Sequence, residues 1–140
     1  MRHHLKETIV PASPEALWNA ITNIHAWPQW DSGIERTEHS GALTAGSPFL
    51  LKPRGGPAVK MTVERLDAPR LFVDLAHLPL AKMRTGHEFL PAPNGTRIRM
   101  TIEVSGPLGF LWDRLVARPQ MAEFETQSLA FAAFAERATK

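Results

Sequence analysis

Residues 121–140 read MAEFETQSLAFAAFAERATK, with neither glycine nor proline. Wound at about 100° per residue, Met121, Phe124, Ser128, Phe131, Ala132 and Ala135 fall on one side. Glu123, Thr126 and Arg137 fall on the other. That stripe predicts an amphipathic helix about 30 Å long. Most of the chain before it reads as short alternating strands. A long helix with one apolar face needs a surface to bury it, and a curved sheet supplies one. The expected architecture is a sheet wrapped around this helix, with function in the space between them.

Working back from the helix, Leu108, Leu111, Trp112 and Leu115 have helical spacing and predict a lead-in over 108–117. Pro119 is expected to break it from the final helix. Before Gly106-Pro107, Thr96, Ile98, Met100, Ile102 and Val104 alternate with Arg97, Arg99, Thr101 and Glu103, the cleanest strand pattern in the chain. Arg97 and Arg99 belong on its solvated face. Asn94-Gly95 is a strong turn dipeptide. In the preceding strand Met83, Thr85, His87 and Phe89 share a face, and in the one before it Leu71, Val73, Leu75 and His77 do. Val59–Leu66 and Phe49–Lys52 flank the hairpin loop Pro53-Arg54-Gly55-Gly56-Pro57, and Ile34–His39 is a further strand. Nearest the N-terminus, Leu5–Val10 is a strand stopped by Pro11. Ser13-Pro14-Glu15-Ala16 then reads as an N-cap, a proline at the first helical position and an acid at the positive helix end. That helix ends before Pro28. A second short helix or turn holds Trp27-Pro28-Gln29-Trp30-Asp31.

The chain has 140 residues, which fits one domain over 1–140. No apolar run approaches the ~20 residues of a membrane span, so stable membrane insertion is not expected. The start MRHHLKETIV has no long apolar segment of the kind that marks a signal peptide. With no cysteine there are no disulfides, thiolate nucleophiles or Cys-based zinc sites, which fits a cytoplasmic location. The formal net charge is only +2 and the basic residues are dispersed among acids, which argues against nucleic-acid binding. No metal or cofactor is expected. His3 and His4 are adjacent and point to opposite faces of a strand, and no HExxH or Gly-rich phosphate loop is present. No serine sits in GxSxG, and Glu35 and Glu38 read as surface residues, with no buried carboxylate pair of the hydrolase kind in view.

The order strand, two short helices, six strands, long helix resembles the START-like, or Bet v 1-like, helix-grip superfamily. Ser13-Pro14-Glu15-Ala16-Leu17-Trp18 followed by Trp27-Pro28-Gln29-Trp30 is similar to the opening of its polyketide cyclase/dehydrase and lipid-transport group. Gly95-Thr96-Arg97-Ile98 resembles that group's late hairpin entry, and Gly106-Pro107-Leu108 its entry into the terminal helix. The resemblance covers nearly the whole chain. It implies an α+β fold: a curved seven-stranded antiparallel sheet around a long C-terminal helix, with two short helices after the first strand. It also implies a cavity for a small apolar or amphipathic molecule, without fixing one chemistry.

Strand parity then names the lining. Phe49, Leu51, Met61, Val63, Leu71, Val73, Leu75, Met83, Phe89, Ile98, Met100 and Ile102 are expected to face inward, opposite Phe124 and Phe131 of the helix. Each also serves as ordinary core. Met61, Met83 and Met100 suit an adaptable pocket, and equally an irregular core. Thr85 and His87 stand out because a buried imidazole needs a partner. His87 is either a ligand handle, a general acid/base, or a core histidine satisfied by its neighbours. His77 is placed at the rim. Trp30 is either a lid or stacking wall, or a plug between helix and sheet. Trp18 and Trp112 are placed as packing residues, and the resemblance implies that the segment holding Trp112 flanks the pocket entrance.

Three functions remain open at this stage. One is binding of a small hydrophobic molecule with Thr85 and His87 orienting its polar end. The second is a cyclase or dehydratase in which His87 moves a proton. The third is a protein-interaction module with a filled core. Both a monomer and a homodimer are compatible with the sequence.

Overall fold

The computed structural model describes residues 2–139. Seven strands form one antiparallel sheet: β1 (Arg2–Val10), β2 (Ile34–Glu38), β3 (Pro48–Pro53), β4 (Val59–Asp67), β5 (Leu71–Leu78), β6 (Ala81–Ala92) and β7 (Gly95–Ser105). Their spatial order is β1-β7-β6-β5-β4-β3-β2, so β2 through β7 form a meander and β1 returns to pair with β7. Between β1 and β2 lie α1 (Pro14–Thr22) and a 3-10 helix (Ile24–Gln29). The Ser13 hydroxyl accepts from the Ala16 N–H at 3.1 Å, so the N-cap forms as its residue type predicts.

After β7 the chain is helical in four pieces: α2 (Gly109–Trp112), a π turn (Asp113–Ala117), α3 (Arg118–Ala122) and α4 (Phe124–Thr139). The expected break at Pro119 does not occur there. A proline clashes with the carbonyl four residues before it, and the wider π turn just ahead accommodates the ring. The interruption lies instead at Glu123 (φ −92°, ψ 0°), so α4 is shorter than expected, about 24 Å. Lys140, its expected last residue, lies outside the described residues. Among the described residues no helix is long and apolar enough to cross a membrane.

α4 buries Phe124, Ser128, Phe131, Ala132 and Ala135, and Met121 of α3 is buried with them. Glu123, Thr126 and Arg137 are exposed. The stripe in the sequence is therefore the stripe in the fold. α4 packs on α1 and β1, and α1 packs also on β6. The shared core includes Leu17, Ile21, Trp27, Phe49, Phe72 and Phe89.

β1 extends three residues earlier than its sequence pattern predicts, because β7 offers a full-length partner, from Arg2 opposite Val104 to Val10 opposite Thr96. Its inner face is polar. His4 bonds Asp113 of the π turn, and the Lys6 ammonium donates to the Met121 carbonyl at 2.8 Å. Asp113 is 1% exposed and is also met by the Arg118 guanidinium at 3.0 Å. Burial alone would raise its pKa, but the hydrogen bonds and charges of His4 and Arg118 outweigh that and hold it below the usual carboxylate range. This cluster ties the first strand to the segment leading into α4.

One face assignment is corrected. In β5 the inward residues are Phe72, Asp74 and Ala76; Leu71, Val73, Leu75 and His77 face the outer side. The ladder decides it. Phe72 lies opposite His87, Asp74 opposite Thr85 and Ala76 opposite Met83, and paired residues share a face. Val73 and Leu75, expected as pocket walls, oppose Gly86 and Arg84 on the outer face. There Arg84 pairs with Glu64 and Glu103, and Arg99 with Glu7 and Glu88. His77 bonds Thr62 at 2.9 Å on that same side, not at an inner rim.

Candidate ligand site between sheet and helix

The inner face of the central strands is apolar with a small polar centre. Met83, Thr85, His87 and Phe89 all point inward from β6, as their alternation predicts. Met100 of β7 lies opposite His87, and Phe49 of β3 opposite Met61 of β4. Phe131 of α4 faces them, its ring 6.0 Å from Phe89 and 4.6 Å from Trp30. Phe124 is buried at the start of α4. Of the eleven expected site residues, all but Val73 and Leu75 lie on the inner side of the sheet or in the helical layer over it.

Asp74 was missing from that set. It is 4% exposed, and its carboxyl makes no hydrogen bond or ion pair with any described residue. Its inward neighbours are Val63 on β4 and Thr85 on β6, with His87 on the diagonal. Burial, reinforced by the charge of Glu64, pushes its pKa up to about 7. Burial pushes His87 the opposite way, down to about 4, with the Phe72 main chain opposing weakly. The His87 ring as a whole is half-buried and lies 6.2 Å from the Phe72 ring. Its Nδ1 is fully buried and has no hydrogen-bond partner among the described residues.

The Trp30 indole N–H is likewise buried without a partner. Trp30 caps the 3-10 helix, and Gln127 of α4 donates to its carbonyl at 2.9 Å. Trp30 thus bridges the helical turn to α4, in tilted ring contact with Phe131 and hydrogen-bonded through its carbonyl. Trp18 packs edge-on against Phe72 at 6.4 Å, and the Trp112 indole donates to the Pro79 carbonyl at 2.9 Å.

Buried polar groups in folded proteins are nearly always paired. Here, among the described residues, the His87 Nδ1 and the Trp30 N–H on the inner side are not, and the buried Asp74 carboxyl beside them has no side-chain partner. With Thr85 they offer a carboxyl, a hydroxyl, a neutral imidazole and an N–H donor amid methionine and phenylalanine walls. Such an inner surface can seat an apolar body and hydrogen-bond one polar end. Among the described residues no three His, Asp or Glu side chains come together as a metal site.

The family model described as polyketide cyclase/dehydrase and lipid transport matches residues 2–136. No curated protein matches the sequence. Among solved structures, the chain is similar to a START superfamily protein from Mycobacterium smegmatis, at 16% identity over 97% of this chain and 98% of that one, with a TM-score of 0.74. It is similar to norcoclaurine synthase from Thalictrum flavum in complex with dopamine and hydroxybenzaldehyde, at 15% identity over 97% and 87%, with a TM-score of 0.73. It also matches about half of the di-domain ARO/CYC protein StfQ of the steffimycin biosynthetic pathway, at 15% identity over 98% and 51%, with a TM-score of 0.75. At these identities the likeness is one of fold.

Proposed function

The chain belongs to the polyketide cyclase/dehydrase and lipid transport family of the START-like superfamily, and from that premise we propose that it binds a small hydrophobic or amphipathic molecule between the sheet and α4. The observation that carries this reading is the inward polar centre set among apolar walls: the Trp30 N–H and the His87 Nδ1, buried without a hydrogen-bond partner among the described residues, and the buried Asp74 carboxyl. A ligand hydroxyl, carbonyl or amine would complete their hydrogen bonding. Met61, Met83, Met100 and Phe89 would hold its apolar body. The test is native mass spectrometry of freshly purified protein, followed by denaturation and identification of what is released. A stoichiometric apolar adduct, reduced in Asp74→Asn and His87→Ala, is the expected result. An adduct retained at full occupancy in both variants would count against the polar centre as the binding determinant.

A second reading is supported by one specific observation: the two shifted groups. An acid/base catalyst works best with a pKa near the operating pH. Asp74, at about 7, meets that condition; His87, at about 4, stays neutral and serves as a hydrogen-bonding group. In a cyclase-type enzyme on this scaffold, Asp74 would move the proton and His87 would orient the substrate. Turnover that falls roughly 10²–10⁴-fold in Asp74→Asn supports catalysis. Tight binding of the same molecule with no product supports a carrier.

A further inference from the structure

The turn between β5 and β6 carries a leucine where the backbone disfavours one. Leu80 has φ 55°, in the left-handed region, and is 66% exposed. The β6–β7 turn solves the same backbone problem with Asn94 (φ 62°), a residue suited to that region. Leu80 gains no burial in return for its conformation. Its main chain is fixed from behind: the Leu80 carbonyl accepts from the Leu108 N–H at 3.0 Å, and the Pro79 carbonyl accepts from the Trp112 indole. Gly106 (φ 107°) lies so close that an added Cβ would sit 2.7 Å from the Leu80 oxygen. The turn is thus clamped with its leucine side chain projecting into solvent. A strained residue held this way points to a use outside the fold.

The surroundings indicate the use. Two clefts of about 440 and 230 Å³ share Ser105, Gly106 and Pro107; Leu80 and Lys82 line one, Phe110 and Arg2 the other. Phe110 is 55% exposed, and Leu115 on the same helical stretch is as open. Across 77–82 and 105–118 the only acid is Asp113, which is buried and already paired with His4 and Arg118. The next acid back along β7, Glu103, is engaged by Arg84. Exposed cations remain: Arg2, Lys82 and Arg114. This end of the molecule therefore presents exposed apolar side chains, with Arg2 and Lys82 lining the same clefts and Arg114 four residues beyond Phe110, and no exposed acid within 77–82 or 105–118.

We infer that the end formed by the β5–β6 turn and α2 docks peripherally on an anionic lipid surface, with Leu80 and Phe110 entering the interface and Arg2, Lys82 and Arg114 facing the headgroups. Apolar insertion and cation–headgroup attraction act together in such docking. The match to the cations is one of charge, and it favours an anionic bilayer over an uncharged partner.

The test is co-sedimentation of the full chain with vesicles of phosphatidylcholine alone, or of phosphatidylcholine with roughly 30% phosphatidylserine. Binding to the anionic vesicles only is expected, and it should fade as salt rises from about 0.1 to about 0.5 M. Lys82→Gln and Arg114→Gln should each weaken it roughly fivefold. Leu80→Gly should weaken it roughly tenfold. Glycine accepts a positive φ, so that variant keeps its fold and any loss reports on the missing side chain. Equal binding to both vesicle types, no binding, or unchanged binding by Leu80→Gly and Phe110→Ser overturns the inference. So does a wild-type dimer in sedimentation velocity that Phe110→Ser dissolves, since the face then belongs to a second copy. No ligand is needed in the sheet–helix space, so failure here leaves the binding function standing.

Discussion

Asp74 and His87 are diagonal neighbours on one face of the sheet, and burial moves them in opposite directions. The consequence for stability is specific. Asp74 has a raised folded pKa, so its contribution is fully present below about pH 4 and is lost as pH rises through about 7. His87 has a lowered one, so its contribution is present above about 6.5 and is lost as pH falls toward about 4. Between about pH 4 and 6.5 unfolding releases a proton from one and takes up a proton at the other, and the two slopes cancel. Urea denaturation across pH 4–8 should expose each half. Asp74→Asn should become more stable with rising pH, by up to about 1.4 kcal/mol per unit, as far as about 6.5. His87→Gln should become less stable over the same range with the same slope. Parallel profiles for wild type and both variants would sink this account. That Asp74 was not legible as an inward residue has a physical cause. Both faces of β5 carry apolar residues, since its outer side is half-covered by the long side chains of β4 and β6, and a carboxylate is ordinarily outward. The signal was nonetheless in the turn. With only Pro79 and Leu80 between the strands, Leu78 must oppose Ala81, which places Ala76, Asp74 and Phe72 on the face of Met83, Thr85 and His87.

At the scale of elements, the β6–β7 hairpin is locked to the end of β1 by one small residue. A Cβ on Gly95 would lie 2.0 Å from the Val10 carbonyl oxygen, a backbone atom that cannot move aside alone. The Thr96 hydroxyl beside it donates to the Ala12 carbonyl at 2.6 Å. Gly95→Ala should therefore push the exit of β1 away and cost about 3 kcal/mol or more, a loss in the upper range for single substitutions. Thermal melts would check it; a loss under about 1 kcal/mol would mean that the turn relaxes without disturbing β1. Alternation and turn residues together outlined all seven strands, because half-buried strands show a period of two along the sequence and glycine and proline mark their ends. The helical lead-in was less legible. Whether Pro119 breaks a helix or is absorbed depends on the π turn, and that turn places Asp113 against His4, which lies more than a hundred residues away in sequence. No local pattern contains that contact.

At the scale of the whole molecule, the C-terminal stripe and the strand order were enough to specify a sheet gripping a helix, since few architectures bury such a helix against so many short strands. No ligand for the proposed site was specified, because a few inward polar groups define a chemistry and not a molecule. Occupancy should be visible globally. A ligand at about 100 times its dissociation constant should add about 2.7 kcal/mol to the unfolding free energy. Differential scanning fluorimetry with the molecule released in native mass spectrometry would read this as a concentration-dependent rise in Tm. A Tm indifferent to that molecule would mean that it binds elsewhere or to unfolded chain.

The order of the sheet also has a bearing on how the protein comes into being. β1 is the first strand of this sheet to be synthesised, and among the described residues it pairs only with β7, the last of the sheet. At about 5–20 residues per second, roughly 5 to 20 s pass at the ribosome before that neighbour exists. Throughout that interval the nascent β1 has no strand to satisfy its backbone edge. The meander from β2 to β7 can zip up hairpin by hairpin as it emerges. The strand that closes the sheet has to wait, and β1 can pair only once β7 has emerged.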